Sequence, residues 1–265
     1  MTPSRRIPRA LVLVACVALA TVAAMAVADD APSPPRRSVA PALPEPVTPA
    51  FTPGRPRPLD SRAALSHWAP VRRRAFARSA PASTARILAT IPTRTPEGTR
   101  NIVAVVGRRV DRSGRRWVRV GLAVLPNGTT AWVPRAALGG YGTVSARLEV
   151  DVRRLSATLY RHGRAVFRAP VAVGAPGSPT PRGAFYVRNK LTRYRSPAYG
   201  PVAFGTSARS PTATDWPAGG FVGIHGTDRP ELVPGRVSHG CIRMRNDAIR
   251  ELARRMPVGT PVMIR

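Results

Sequence analysis

Proline fixes where this chain is able to build regular structure. Ten of its 30 prolines fall between Pro32 and Pro58, a density that excludes helix and central strand and favours extended polyproline conformations. Residues 29–61 are therefore read as a Pro-rich linker, and packed structure is expected only beyond it. Ahead of the linker, Arg5, Arg6 and Arg9 precede an apolar run from Ala10 to Ala28 that ends in Ala26-Val27-Ala28. A basic start, an apolar stretch and an A-x-A terminus make a secretory signal peptide over 1–28. Left uncut, residues 10–28 are about long enough to anchor the chain in a bilayer. Either outcome places the rest of the chain outside the cytoplasmic membrane.

Beyond the linker, short runs of β-forming residues alternate with turn signals. Over 62–140 these runs are Arg86–Ile91, Ile102–Val106, Trp117–Leu122 and Thr130–Pro134, with Pro126-Asn127-Gly128 as a turn between the last two. Close-set short strands in about eighty residues suggest a small barrel. The stretch WVRVGLAVLPNGTTAWVPRAAL resembles the final strands of bacterial SH3-like domains; an unrelated β-rich spacer fits the same residues. His67 is expected at the surface here.

A second β-rich unit is expected over 143–265. Leu148–Val152 and Ala157–Tyr160 alternate, and Arg161-His162-Gly163-Arg164 turns the chain into Ala165–Phe167. Val171–Gly174, Gly183–Val187, Phe221–Ile224 and Pro261–Ile264 read as further strands. One helix is convincing: Asn246 or Asp247 caps it, and Ala248, Ile249, Leu252, Ala253 and Met256 form its apolar stripe. The fold class is thus mainly β, with one substantial C-terminal helix preceded by a small SH3-like barrel.

The formal net charge is +29, almost all of it from arginine because Lys190 is the only lysine. Such a surplus favours anionic partners. Nucleic acid is set aside, since no docking motif or aromatic stacking surface accompanies the charge.

Chemistry concentrates in Ile224-His225-Gly226-Thr227-Asp228-Arg229-Pro230 and Val237-Ser238-His239-Gly240-Cys241-Ile242-Arg243-Met244. With the signal removed, Cys241 is the only cysteine, and it has no intramolecular partner. Only a thiolate attacks, and a nearby imidazole is able to take the proton and later return it to a leaving amine. Gly240 leaves a carbonyl room to approach, and the backbone N–H groups of His239, Gly240 and Cys241 are expected to converge on an oxyanion. A zinc site is the competing reading, but one Cys and two His fall short of four ligands; Asp228 would complete the number, yet no C-x-x-C or H-x-x-x-H spacing supports it. A papain-like arrangement places the histidine after the cysteine, the reverse of the order here.

The pair IHGTDRP and SHGCIRM, separated as they are here, resembles the signature of the YkuD-like L,D-transpeptidase family. Pro179-Thr180-Pro181-Arg182-Gly183 and Gly259-Thr260-Pro261-Val262 resemble further elements of it. The resemblance implies a cysteine acyltransferase of peptidoglycan, without metal or organic cofactor, working in the cell wall or periplasmic space. It implies Cys241 as nucleophile, His225 as general base, and Ser238 orienting the imidazole through its carbonyl. His239, Gly240 and Cys241 then form the oxyanion segment, and Arg243, Gly226 and Thr227 meet the substrate. Implied partners are peptidoglycan stem peptides, with anionic wall polymers as a further class. Water as acceptor makes a carboxypeptidase and a protein amine makes an anchoring enzyme. An inactive wall-binding scaffold is the reading from another class.

Overall fold

Turn-punctuated runs become strands of two sheets in the computed structural model, which describes residues 65–194, 196–210, 212 and 219–265. The signal segment and the linker expected over 1–61 lie outside the described residues. Among the described residues no helix is long and apolar enough to cross a membrane.

The first sheet holds β1 (Ser66–Pro70), β2 (Ala75–Arg78), β3 (Ile87–Ile91), β4 (Ile102–Val110), β5 (Arg116–Gly121), β6 (Thr130–Pro134) and β7 (Gly142–Val144). They pair in the order β3-β2-β6-β5-β4-β1-β7, antiparallel throughout. Ala69, Val103, Val118, Val120, Ala131 and Val133 fill one core. The β4–β5 turn is built on Asp111, whose carboxylate accepts the Ser113 hydroxyl and the Trp117 indole N–H. Those two bonds, in that order, hold its pKa down at about 2.

The second sheet comprises β8 (Ala146–Asp151), β9 (Ser156–Arg161), β10 (Arg164–Pro170), β11 (Ala172–Gly174), β12 (Gly183–Leu191), β13 (Ala203–Arg209), β14 (Phe221–His225), β15 (Gly235–Ser238), β16 (Ile242–Arg243) and β17 (Pro261–Ile264). Its order is β10-β9-β8-β17-β12-β13-β14-β16-β11-β15. The pairs β8–β17, β14–β16 and β11–β15 are parallel. In β8 the buried residues are Ala146, Leu148 and Val150, the period-two pattern of a strand with one wet face. The turn after β9 has positive φ at both His162 (49°) and Gly163 (79°), as a tight two-residue hairpin requires.

The helix, α1 (Asn246–Arg255), buries Ile249 and Leu252 in the second core, with Met256 just past its end. Complete burial of each such side chain contributes roughly 2 kcal/mol. Neither expected cap operates. The N-cap position is Arg245 without a side-chain bond, because the Asn246 carbonyl oxygen is spent on the N–H of Thr227.

His67 lies within β1, half-buried and paired with Val105 and Thr143. One other expectation changes. The unit boundary moves: β7 bonds to β1, so the chain crosses between sheets at Ser145.

The sheets are bound through polar groups as well as apolar ones. Tyr186 of β12 is buried among Ile102 and Ala104 of the first sheet, and its hydroxyl reaches the Gly121 carbonyl at 3.2 Å. Burial pushes that phenol up to about 12, so it stays a donor. Arg188 meets Glu97, from the β3–β4 loop, at 3.2 Å with side chains 4% and 3% exposed. Beside it, the Asn189 amide donates to Thr95, Glu97 and Thr99.

Candidate active site

Register brings the two halves of the signature together. β14 and β16 run parallel, with Ile224 opposite Ile242 and His225 opposite Arg243. Both isoleucines point into the second core. Because side chains alternate along a strand, Gly223, His225, Cys241 and Arg243 share the opposite face. Cys241 then stands opposite Gly223, and the Gly223 N–H lies 3.3 Å from its sulfur. His225 is two residues farther along the neighbouring strand, about 8 Å away between backbones given usual strand spacing. The thiol and imidazole side chains are able to span that gap, and Gly223 puts no side chain between them. One parallel strand pair thus sets the histidine sixteen residues upstream and the thiol on the same face.

The surroundings of both groups are dry. Cys241 and His225 are 0% and 1% exposed. Cys241 clusters with Ala203 and Phe221, against which Ala123, Leu191, Tyr194 and Tyr199 pack. The Tyr199 ring also sits edge-on to the imidazole, 4.7 Å between centroids. Nδ1 of His225 lies 2.6 Å from the Gly226 carbonyl. A carbonyl only accepts, so the ring proton of the neutral imidazole is at Nδ1, and Nε2 carries the basic lone pair.

This corrects part of the expected division of labour. The carbonyl at Nδ1 is supplied by Gly226, while the Ser238 carbonyl accepts the Ala175 N–H. Ser238 works through its hydroxyl, which donates to the Cys241 carbonyl and accepts the Gly240 N–H at 3.1 Å. The Gly240 N–H is therefore engaged inside the turn in this structure. Gly240 instead supplies backbone shape: its φ of +115° suits a residue without a side chain.

Gly226 and Thr227, expected to meet the substrate, are both buried in this structure. A side chain at Gly226 would collide with the Asn246 amide oxygen; the Thr227 hydroxyl accepts the Arg229 N–H. Asn246 thereby ties the start of α1 to the His225 loop, a role hidden in sequence behind its apparent fitness as a cap. His239 is exposed, at the bend before Gly240. Arg243 is half-buried beside His225, and its Nε is buried without a hydrogen-bond partner among the described residues. No group of three or more His, Cys, Asp or Glu able to hold a metal occurs among the described residues.

Thr180 is the residue whose importance sequence reasoning did not single out. Its buried hydroxyl donates to the Gly240 carbonyl and accepts the Gly174 N–H, both at 2.8 Å. Thr180→Val keeps the shape and orphans both groups. Because a buried unsatisfied group costs about 1–3 kcal/mol, the variant is expected to lose at least about 2 kcal/mol in urea unfolding. A midpoint equal to wild type would refute the assignment.

The L,D-transpeptidase catalytic domain family, YkuD, matches residues 145–264, the span from the sheet crossing to β17. A putative L,D-transpeptidase YkuD of Bacillus licheniformis is 38% identical over 122 residues, 46% of this chain and 67% of that protein. The Bacillus subtilis protein of that name is 37% identical over the same length and shares. The solved catalytic domain of an Enterococcus faecium L,D-transpeptidase is 30% identical, with a TM-score of 0.35, covering 45% of this chain and 96% of that one. Through residues 145–264, which hold both the His225 strand and the Cys241 turn, the chain belongs to the L,D-transpeptidase family.

Proposed function

We propose that this chain is a cysteine-dependent peptidoglycan L,D-transpeptidase. The observation that carries the reading is the shared face of β14 and β16, on which His225 and Cys241 stand diagonally across Gly223.

Nε2 of His225 takes the Cys241 proton, and the Gly223 N–H stabilises the resulting thiolate, since hydrogen bonding to a charged form favours it. The thiolate attacks the carbonyl joining the third stem residue to the terminal D-alanine of a tetrapeptide. A carbon–sulfur bond forms, the carbon–nitrogen bond breaks, and the imidazolium returns its proton to the departing D-alanine amine. An amine of a second stem then attacks the thioester. Its proton passes to His225, the carbon–sulfur bond breaks, and the thiolate is restored. Atoms and charge balance without metal or redox partner. Arg243 lies next to His225 and carries a fixed charge, so its guanidinium suits a donor-stem carboxylate. The sulfur is covered in this structure, so a substrate carbonyl reaches it only when the covering side chains shift.

Water or a protein amine in the acceptor role would give the carboxypeptidase or anchoring variants from the same thioester. Support for an amine of a second stem comes from the dryness of the site, which disfavours hydrolysis. The N-terminal pattern supports export, to the cell wall or periplasmic space. The surplus of arginine supports attraction to anionic wall polymers.

Incubation with purified disaccharide-tetrapeptide, products resolved by mass, tests the proposal. Release of D-alanine matched by a dimer linked between third residues is expected. D-alanine matched by monomeric tripeptide would turn the reading to carboxypeptidase. Binding without release would leave the wall-binding scaffold.

A further inference from the structure

The first sheet reaches the reactive thiol by a route that the transpeptidase reading does not use. In the turn between β5 and β6, the Asn127 amide clasps one residue of the second sheet at both ends. Its Nδ2 donates to the Arg209 carbonyl at 2.7 Å, and its Oδ1 accepts the Arg209 N–H at 2.9 Å. A side-chain amide here does what one residue of an added strand would do.

Arg209 needs that support because the ladder beside it is broken. β13 and β14 pair regularly from Ala203–His225 to Gly205–Gly223, then shift, so that Arg209 stands opposite Phe221. Beyond the shift, the Arg209 guanidinium lies 4.1 Å from the Phe221 ring centroid and that of Arg188 lies 3.8 Å from it. Two guanidinium groups this close cannot occupy one face, so the ring is held between them. Such contacts are attractive because the ring face is electron-rich, and they strengthen when water is excluded. Phe221 opens the strand whose third residue, Gly223, directs its N–H at the Cys241 sulfur, and Phe221 itself packs in the Cys241 cluster. Ala123, from the same connection as Asn127, packs against that cluster too.

We infer that Asn127 is a positioning residue for Cys241: by holding Arg209, it fixes Phe221 and so the strand that aims the Gly223 N–H at the sulfur. The first sheet is on this account part of the thiol-activating machinery and not a spacer. The inference rests on the reading of Cys241 as the nucleophile.

The test is iodoacetamide alkylation of Cys241 in the full chain, followed by mass spectrometry of its peptide as a function of pH. A hydrogen bond lost from the thiolate raises the pH of half-maximal reactivity. Asn127→Ala is expected to move that midpoint up by about 0.5–1 unit, and Phe221→Leu, which removes the stacked ring, is expected to move it in the same direction. Arg154→Ala, an exposed change in the β8–β9 turn, is expected to leave it in place. A stability loss alone would not move the midpoint of molecules that remain folded. A folded Asn127→Ala protein with the wild-type midpoint overturns the inference. If Asn127→Ala does not fold, an unmoved midpoint in Phe221→Leu does so. Failure of the enzymatic reading shows separately, as D-alanine release that is absent from wild type or independent of Cys241.

Discussion

Cys241→Ala is expected to abolish D-alanine release, with a fall in turnover on the order of 10⁴ or more, as for removal of the nucleophile in other covalent acyl-transfer sites. The substitution is small and falls in a tight cluster of Ala203 and Phe221, so the fold should persist and stem binding should be retained. His225→Gln should behave differently. It keeps a polar side chain on the same strand face but removes the base, which is worth about 10²–10⁴ in rate. Its residual activity should climb with pH as hydroxide replaces imidazole in ionising the thiol, whereas Cys241→Ala should stay flat across pH. The contrast is the informative result, because a misfolded site would make both variants inert in the same way. Steady-state D-alanine release between about pH 6 and 10 distinguishes them. Undiminished release by Cys241→Ala would sink the covalent mechanism. A His225→Gln profile parallel to wild type would remove the imidazole from it.

What sequence conveyed about this site divides along a physical line. The residue types and their order pointed to Cys241 and His225, because a solitary thiol with an upstream imidazole has few other uses. Strands with apolar alternation, such as β8, were also legible, as was the continuous apolar run of β17. β13 was not: Ala203-Phe204-Gly205-Thr206-Ser207-Ala208-Arg209 is buried almost throughout yet, apart from Phe204, is built of small and polar residues, so no period of two shows. β16 is only two residues long and becomes a strand solely through pairing with β14 and β11. Hydrogen bonds between distant segments were equally hidden. Thr180 acts on Gly240 sixty positions away, and Asn127 acts on Arg209 across 82. Asn127 carried a turn signal and Asn246 a capping signal, and both signals are true of the residue types while silent about what each amide would bond. Likewise the carbonyl at the imidazole is that of Gly226 and not of Ser238, because a motif fixes which residues are near a thiol, not which of their polar atoms are already engaged.

The joint between the sheets should be the most sensitive point for stability. Glu97→Gln is expected to destabilise the protein by about 3 kcal/mol, within the range for removing one partner of a buried ion pair. The reasoning starts from Arg188, whose charge is pressed downward in pKa by burial and held up chiefly by Glu97. Glutamine preserves the shape and the hydrogen bond from Asn189, but it leaves the guanidinium without a counter-charge in a place water does not reach. The Thr206 carbonyl and the Phe221 ring still contact Arg188, which is why the loss should sit at the lower end of that range. Replacing both partners tests the explanation more sharply than replacing one. With Arg188→Met added, the uncompensated charge is gone, and much of the lost stability should return, as in buried ion pairs exchanged for apolar groups of similar volume. Urea denaturation of the two single variants and the double variant measures the coupling. A Glu97→Gln loss below about 1 kcal/mol would mean that water or another group already compensates Arg188, and that the β3–β4 loop is not what locks the two sheets together.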